Sequence, residues 1–145
     1  PYEEPAFDIY PLLNDWSQAG SGIVGELDES ETELEFLKRI KKTFEVGCLR
    51  HNKLKGREIQ RVALCGGAGA FLLPQAIWSG ADVFITGEIK YHDYFGHEED
   101  ILMAEIGHYE SEQYTKEIFY SIIRDLFPNF ALQLSKINTN PIKYL

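Results

Sequence analysis

Two cysteines and one methionine are all the sulfur in 145 residues. Cys48 and Cys65 make no disulfide framework and no zinc motif. Cys65 ends an apolar run and reads as a small buried hydrophobe in a reducing, cytoplasmic compartment. No apolar stretch approaches the ~18–20 residues of a membrane helix. No signal-peptide pattern opens the chain either. Positive charge is scarce: 14 Lys and Arg stand against 23 Asp and Glu, a net charge of −9. That balance excludes the basic stripe that nucleic acid requires, and an anionic membrane surface as partner. Neither G-x-G-x-x-G nor a Walker sequence is present.

What is present concentrates between Arg61 and Gln113. Val62-Ala63-Leu64-Cys65 runs into Gly66-Gly67-Ala68-Gly69. Asp82-Val83-Phe84-Ile85 runs into Thr86-Gly87-Glu88. Ile101 to Ile106 runs into Gly107-His108 and Glu112. Short continuous apolar runs separated by helix-length segments predict a mostly parallel sheet covered on both faces. Ligands of such sheets gather at the carboxyl ends of the strands.

The flanking segments carry weaker signals. Prolines 1, 5 and 11 favour extended chain over residues 1–20, with Phe7 to Tyr10 as a possible edge strand. The opening Pro1-Tyr2-Glu3-Glu4-Pro5, without Met, reads as a cut inside a larger polypeptide. Residues 23–27 suit a strand. Ser30 and Glu33 fit a capping box for a helix whose apolar stripe is Leu34, Leu37, Ile40 and Phe44, stopped near Gly47. Lys38, Arg39, Lys41 and Lys42 read as its solvated face, with phosphate binding as the alternative. Residues 49–57 read as a loop with His51 at the surface. A second helix covers about 70–79 and ends at Gly80; either it begins near Leu73 with Pro74 at its first position, or it bends at Pro74. A last helix carries Tyr114, Ile118, Ile122 and Leu126 at intervals of four, expected to pack on the sheet. Pro128 ends it, and residues 131–135 alternate like a final strand.

The chemistry-bearing groups follow the strand ends. His108 and Glu112, four apart, share one face of any helix that starts there, and imidazole plus carboxylate suits Zn, Fe or Mn. The bland alternative is an acidic first turn complementing a helix dipole. Glu88, Lys90, His92 and Asp93 could supply a general acid or base, or simply open a helix. Gly66, Gly67 and Gly69 could cradle a phosphate, or only turn the chain tightly. His97, among acidic residues, reads as surface.

Taken together, RVALCGGAGA, GADVFITGEIKYHD and GHYESE, with the opening PYEEPAFDIYPL and GSGIVGEL, resemble the GTP cyclohydrolase I type 2-like family, the NGG-interacting-factor-three-like dinuclear metal proteins. The resemblance covers the whole chain but only the C-terminal part of a family member. It implies a three-layer α/β/α sandwich, with 1–20 as the tail of an inserted domain or a linker and 21–145 as the C-terminal part of the metal-binding domain. It implies toroidal hexamers, and two divalent ions per site in the parent protein. It carries His108 and Glu112 over as metal ligands, and places Glu88 and His92 beside them. The family's remaining ligands, a His pair and an Asp, have no counterpart in this chain. The expectation is therefore a parent that is a dinuclear metal-dependent hydrolase acting on GTP or a related nucleotide, and a fragment inactive alone. The alternatives are a metal-binding scaffold without turnover and a metal-free nucleotide binder.

Overall fold

The structure is a computed structural model and describes residues 19–145. The edge strand expected at Phe7 to Tyr10, and most of the 1–20 tail, lie outside those residues. The elements in order are β1 (Ile23–Thr32), α1 (Glu33–Thr43), β2 (Arg50–His51), β3 (Glu58–Cys65), α2 (Leu73–Trp78), β4 (Val83–Thr86), β5 (Leu102–Glu105), α3 (His108–Glu112) and α4 (Thr115–Leu126). Short 3-10 turns cover Gly69–Leu72 and Tyr91–Tyr94.

The strands form one mixed sheet in the order β1-β3-β4-β5-β2. Its centre is parallel, with Cys65 beside Thr86 and Thr86 beside Glu105. The three central strands therefore end along one line. Both edges are antiparallel: β1 on β3 and the two-residue β2 on β5. Side chains of β4 alternate between two cores. Val83 and Ile85 join Phe36, Leu37 and Ile40 of α1 on one face. Phe84 joins Leu73 and Ala76 of α2 on the other. Burial on both faces is why these strands read as continuous apolar runs, and it gives the three α/β/α layers.

Several local expectations are corrected. Ser30 lies within β1, and Thr32 caps α1 by accepting from the Glu35 N–H at 3.4 Å. Glu33 turns inward, 3% exposed, and accepts the N–H groups of Lys55 (2.7 Å) and Gly56 (2.8 Å). The buried face of α1 is Phe36, Leu37 and Ile40, while Leu34 is exposed. The helix stops at Phe44, and Glu45, not Gly47, takes the left-handed turn at φ 54°. Pro74 does sit in the first turn of α2. Arg50 and His51 pair with β5, so the expected loop holds a short strand, and the His51 side chain is exposed as expected. Residues 131–135 form no strand.

The largest correction concerns α4. It forms and ends before Pro128, but none of its residues is buried. Ile118, Phe119, Ile122 and Leu126 are all exposed. The amphipathic pattern is real, yet no described element covers it.

Candidate metal centre at the strand ends

The hydrogen-bond ladder between β4 and β5 continues past the strands. Ile106 N–H donates to Thr86 O (3.0 Å) and Gly107 N–H to Gly87 O (3.1 Å). This extension holds the start of α3 against the residue that leaves β4. His108 and Glu88 therefore meet, with Nδ1 3.0 Å from Oε1. One helical turn on, Glu112 Oε2 lies 3.3 Å from His108 Nε2. The i,i+4 spacing produces that second contact. Each side chain is about half exposed, facing solvent rather than the core.

The turn after β3 completes the arrangement. Gly67 takes φ +60°, and a β-carbon there would collide with Glu112 Oε1. Its N–H donates to Ser111 Oγ (2.8 Å), and its carbonyl accepts from Glu88 N–H (3.1 Å). Gly69 N–H donates to Thr86 Oγ1 (3.0 Å). The turn thus spends the N–H groups of Gly67 and Gly69 inside the fold. That corrects the phosphate-cradle expectation for them, while Gly66 packs against Ser111 and Glu112.

His92 stands apart. It lies in the exposed 3-10 turn Tyr91–Tyr94, its ring 5.3 Å from Tyr91 and 6.4 Å from Phe95. The same turn is pinned from behind by Glu105, which the sequence did not flag. Its Oε2 accepts from Ile89 N–H (3.1 Å) and Tyr94 Oη (3.3 Å), and it pairs with Arg50. Burial, and then the Glu105 carboxylate, hold the Tyr94 phenol well above its ordinary value.

A cleft of about 630 Å³ opens on His108, Glu112 and Glu88. Its far wall is the C-terminal segment around Ile137 to Ile142. Glu110 and Asn140, neither of them singled out in the sequence, join this wall to α3 through an amide-to-carboxylate hydrogen bond of 3.0 Å.

The donor set fits part of a metal centre. His108 Nε2 and Glu112 Oε2 lie 3.3 Å apart, and imidazole with carboxylate suits a borderline divalent ion. Among the described residues no group of three or more His, Cys, Asp and Glu side chains is arranged to hold a metal. Two donors fall short of a full coordination sphere. Among those residues no helix is long and apolar enough to cross a membrane.

Comparison with known proteins finds relatives that match nearly the whole chain. The model of a family described as Duf34/NIF3 (NGG1p interacting factor 3) matches residues 4–141. A Halalkalibacterium halodurans protein named GTP cyclohydrolase 1 type 2 homolog is 34% identical over 151 residues, covering 100% of this chain and 40% of its own length. A Staphylococcus epidermidis protein of the same name is 36% identical over 149 residues, again over 40% of its length. This chain thus spans about two fifths of those relatives. The crystal structure of a Bacillus cereus protein related to NIF3 superposes with a TM-score of 0.75 at 28% identity, over 100% of this chain and 41% of that one. A Staphylococcus aureus crystal structure gives the same TM-score at 30% identity, over 86% and 42%.

Proposed function

The chain belongs to the Duf34/NIF3 family, and on that premise we propose that His108 and Glu112 are its contribution to a site for two divalent ions, Zn, Fe or Mn, in a metal-dependent hydrolase. The observation that carries this reading is the contact of His108 Nε2 with Glu112 at the mouth of a cleft. The substrate class follows the relatives' printed name: GTP or a related nucleotide. A pair of such ions supplies an activated water and polarises the group under attack. This chain's residues do the holding. His108 and Glu112 ligate, Gly67 leaves room for the Glu112 carboxylate, and Glu88 steadies the second ring nitrogen of His108. For proton transfer Glu88 is better placed than His92, because it already borders the cleft. Two ligands cannot complete a coordination sphere, so the 145 residues alone are inactive in this reading. The full protein works as a cytoplasmic homo-oligomer, a hexamer by family resemblance.

A second reading, a metal-binding scaffold or interaction protein without turnover, is favoured by the uncovered apolar face of α4. Elemental analysis of the full-length protein beside its His108→Ala variant separates the two. The hydrolase reading expects two ions per chain, at least one lost in the variant, and metal-dependent GTP hydrolysis that disappears with it. Metal without turnover moves the assignment to the scaffold. No metal in either sinks both.

A further inference from the structure

The wall opposite His108 is a short segment built around one asparagine. Asn140 Nδ2 donates to Glu110 Oε1 (3.0 Å), its Oδ1 accepts from Ile142 N–H (3.0 Å), and its N–H donates to Asn138 Oδ1 (2.8 Å). Lys143 Nζ donates to its carbonyl at 3.1 Å. Asn140 thus folds the segment on itself and fastens it to α3 at once. The acceptor, Glu110, is 7% exposed, and it sits between the two proposed ligands in sequence. A buried carboxylate needs a donor, and among the described contacts Asn140 is the side chain that supplies one. The fastening is therefore part of the fold and not a surface coincidence.

What this segment offers to the cleft is chemically uneven. Ile137, Pro141 and Ile142 give an apolar surface, and Thr139 a hydroxyl. From α4, Lys116 brings the one cationic side chain of the lining, its ammonium 3.4 Å from Ser135 O. Such a cleft suits a small ligand with an anionic end and an apolar body. The anionic end would lie at Lys116 rather than at the Glu88 and Glu112 carboxylates that also line the cleft, and the body along the isoleucines.

We propose that residues 135–142, held by Asn140 on Glu110, form the substrate-selecting wall of this cleft, making it a site for a small organic anion with an apolar body. The proposal rests on the reading that the cleft at His108 and Glu112 is the functional site. Ile137, Pro141 and Ile142 are specificity-determining residues, and Asn140 is a positioning residue that acts through them.

Two probes of equal charge isolate the wall: phenylphosphonate and methylphosphonate, titrated into the metal-supplemented full-length protein by calorimetry. The protein is expected to prefer the phenyl compound by about tenfold, a difference of about 1.4 kcal/mol. Asn140→Asp, which sets a second carboxylate against Glu110, should cut that preference to less than about threefold. Ile142→Ser should do the same while leaving the Asn140–Glu110 contact in place. Thermal melting confirms that each variant is folded. Equal affinities in the unmodified protein, binding of neither probe, or a preference that survives both substitutions would overturn the proposal. Metal content is measured on the same samples. Phenyl selectivity in a protein without metal would refute the metal reading and keep the wall. Metal without selectivity would do the reverse.

Discussion

At Gly67 two demands meet in one residue. The backbone is left-handed, and the space a side chain would need is already taken by the Glu112 carboxylate. Alanine pays about 1 kcal/mol for the left-handed conformation alone. Gly67→Ala must in addition push Glu112 off His108. Gly80 provides the control, because it has φ +72° and open space around its Cα. Both Gly67→Ala and Gly80→Ala are expected to lower stability by about 1 kcal/mol or somewhat more in urea denaturation. Only Gly67→Ala should also weaken zinc binding by the full-length protein, by about tenfold or more, the scale of a displaced ligand or its support. Equal zinc affinity in the two variants would detach Gly67 from the site. The glycine run was visible in the sequence as a turn. Which residue it had to admit was not, because Glu112 lies far along the chain and arrives only through the β4–β5 ladder.

At the scale of elements, α1 and α4 show how far periodicity carries. Both present apolar residues at helical spacing, and both form helices. Phe36, Leu37 and Ile40 are buried against β3, β4 and β5, whereas Ile118, Phe119 and Ile122 face outward. Spacing says which residues share a face, but the identity of the covering element is tertiary information. Phe36→Ala should therefore cost about 3–5 kcal/mol, the usual loss for a deleted core aromatic. Ile118→Asp should change stability by no more than about 0.5 kcal/mol, as an exposed substitution does. Chemical denaturation of the 145-residue chain checks both, and a large loss at Ile118 that does not change with protein concentration would mean that α4 packs on the sheet after all. The same limit explains the other differences. The three central strands were legible because burial on both faces leaves an uninterrupted apolar signature. His108 and Glu112 were legible because a helix start fixes their relation locally. The cap of α1 was misplaced by two residues, since Ser30 and Thr32 are both competent hydroxyls and β1 extends through the first. Asn52 gave no signal, yet it is buried and bonds both Ile101 O and Met103 N–H, at 2.9 Å each. Its role depends on β2 meeting β5 across some fifty residues.

For the molecule as a whole, charge and apolar surface act in opposite directions. A net charge of −9 keeps copies of the chain apart at long range. Ile118, Ile122 and Leu126 form a row at intervals of four, with Phe119 beside it, on a helix with no buried residue. An exposed apolar strip of this kind favours contact at short range. Salt decides between the two, because repulsion between exposed charges fades beyond about 8 Å near physiological ionic strength while apolar attraction does not. The 145-residue chain by itself is therefore expected to self-associate, and to do so more strongly as salt is raised. Light scattering coupled to size exclusion, run at low and at high salt, measures this directly. The Ile118→Glu, Ile122→Glu pair should hold the chain monomeric at both, since it removes the attraction and adds to the repulsion. A chain that is monomeric in high salt without any substitution would show that this face does not drive self-association. An association that weakens as salt rises would trace it to ion pairs instead, with the ten pairs found among the described residues as the place to search for a swapped partner.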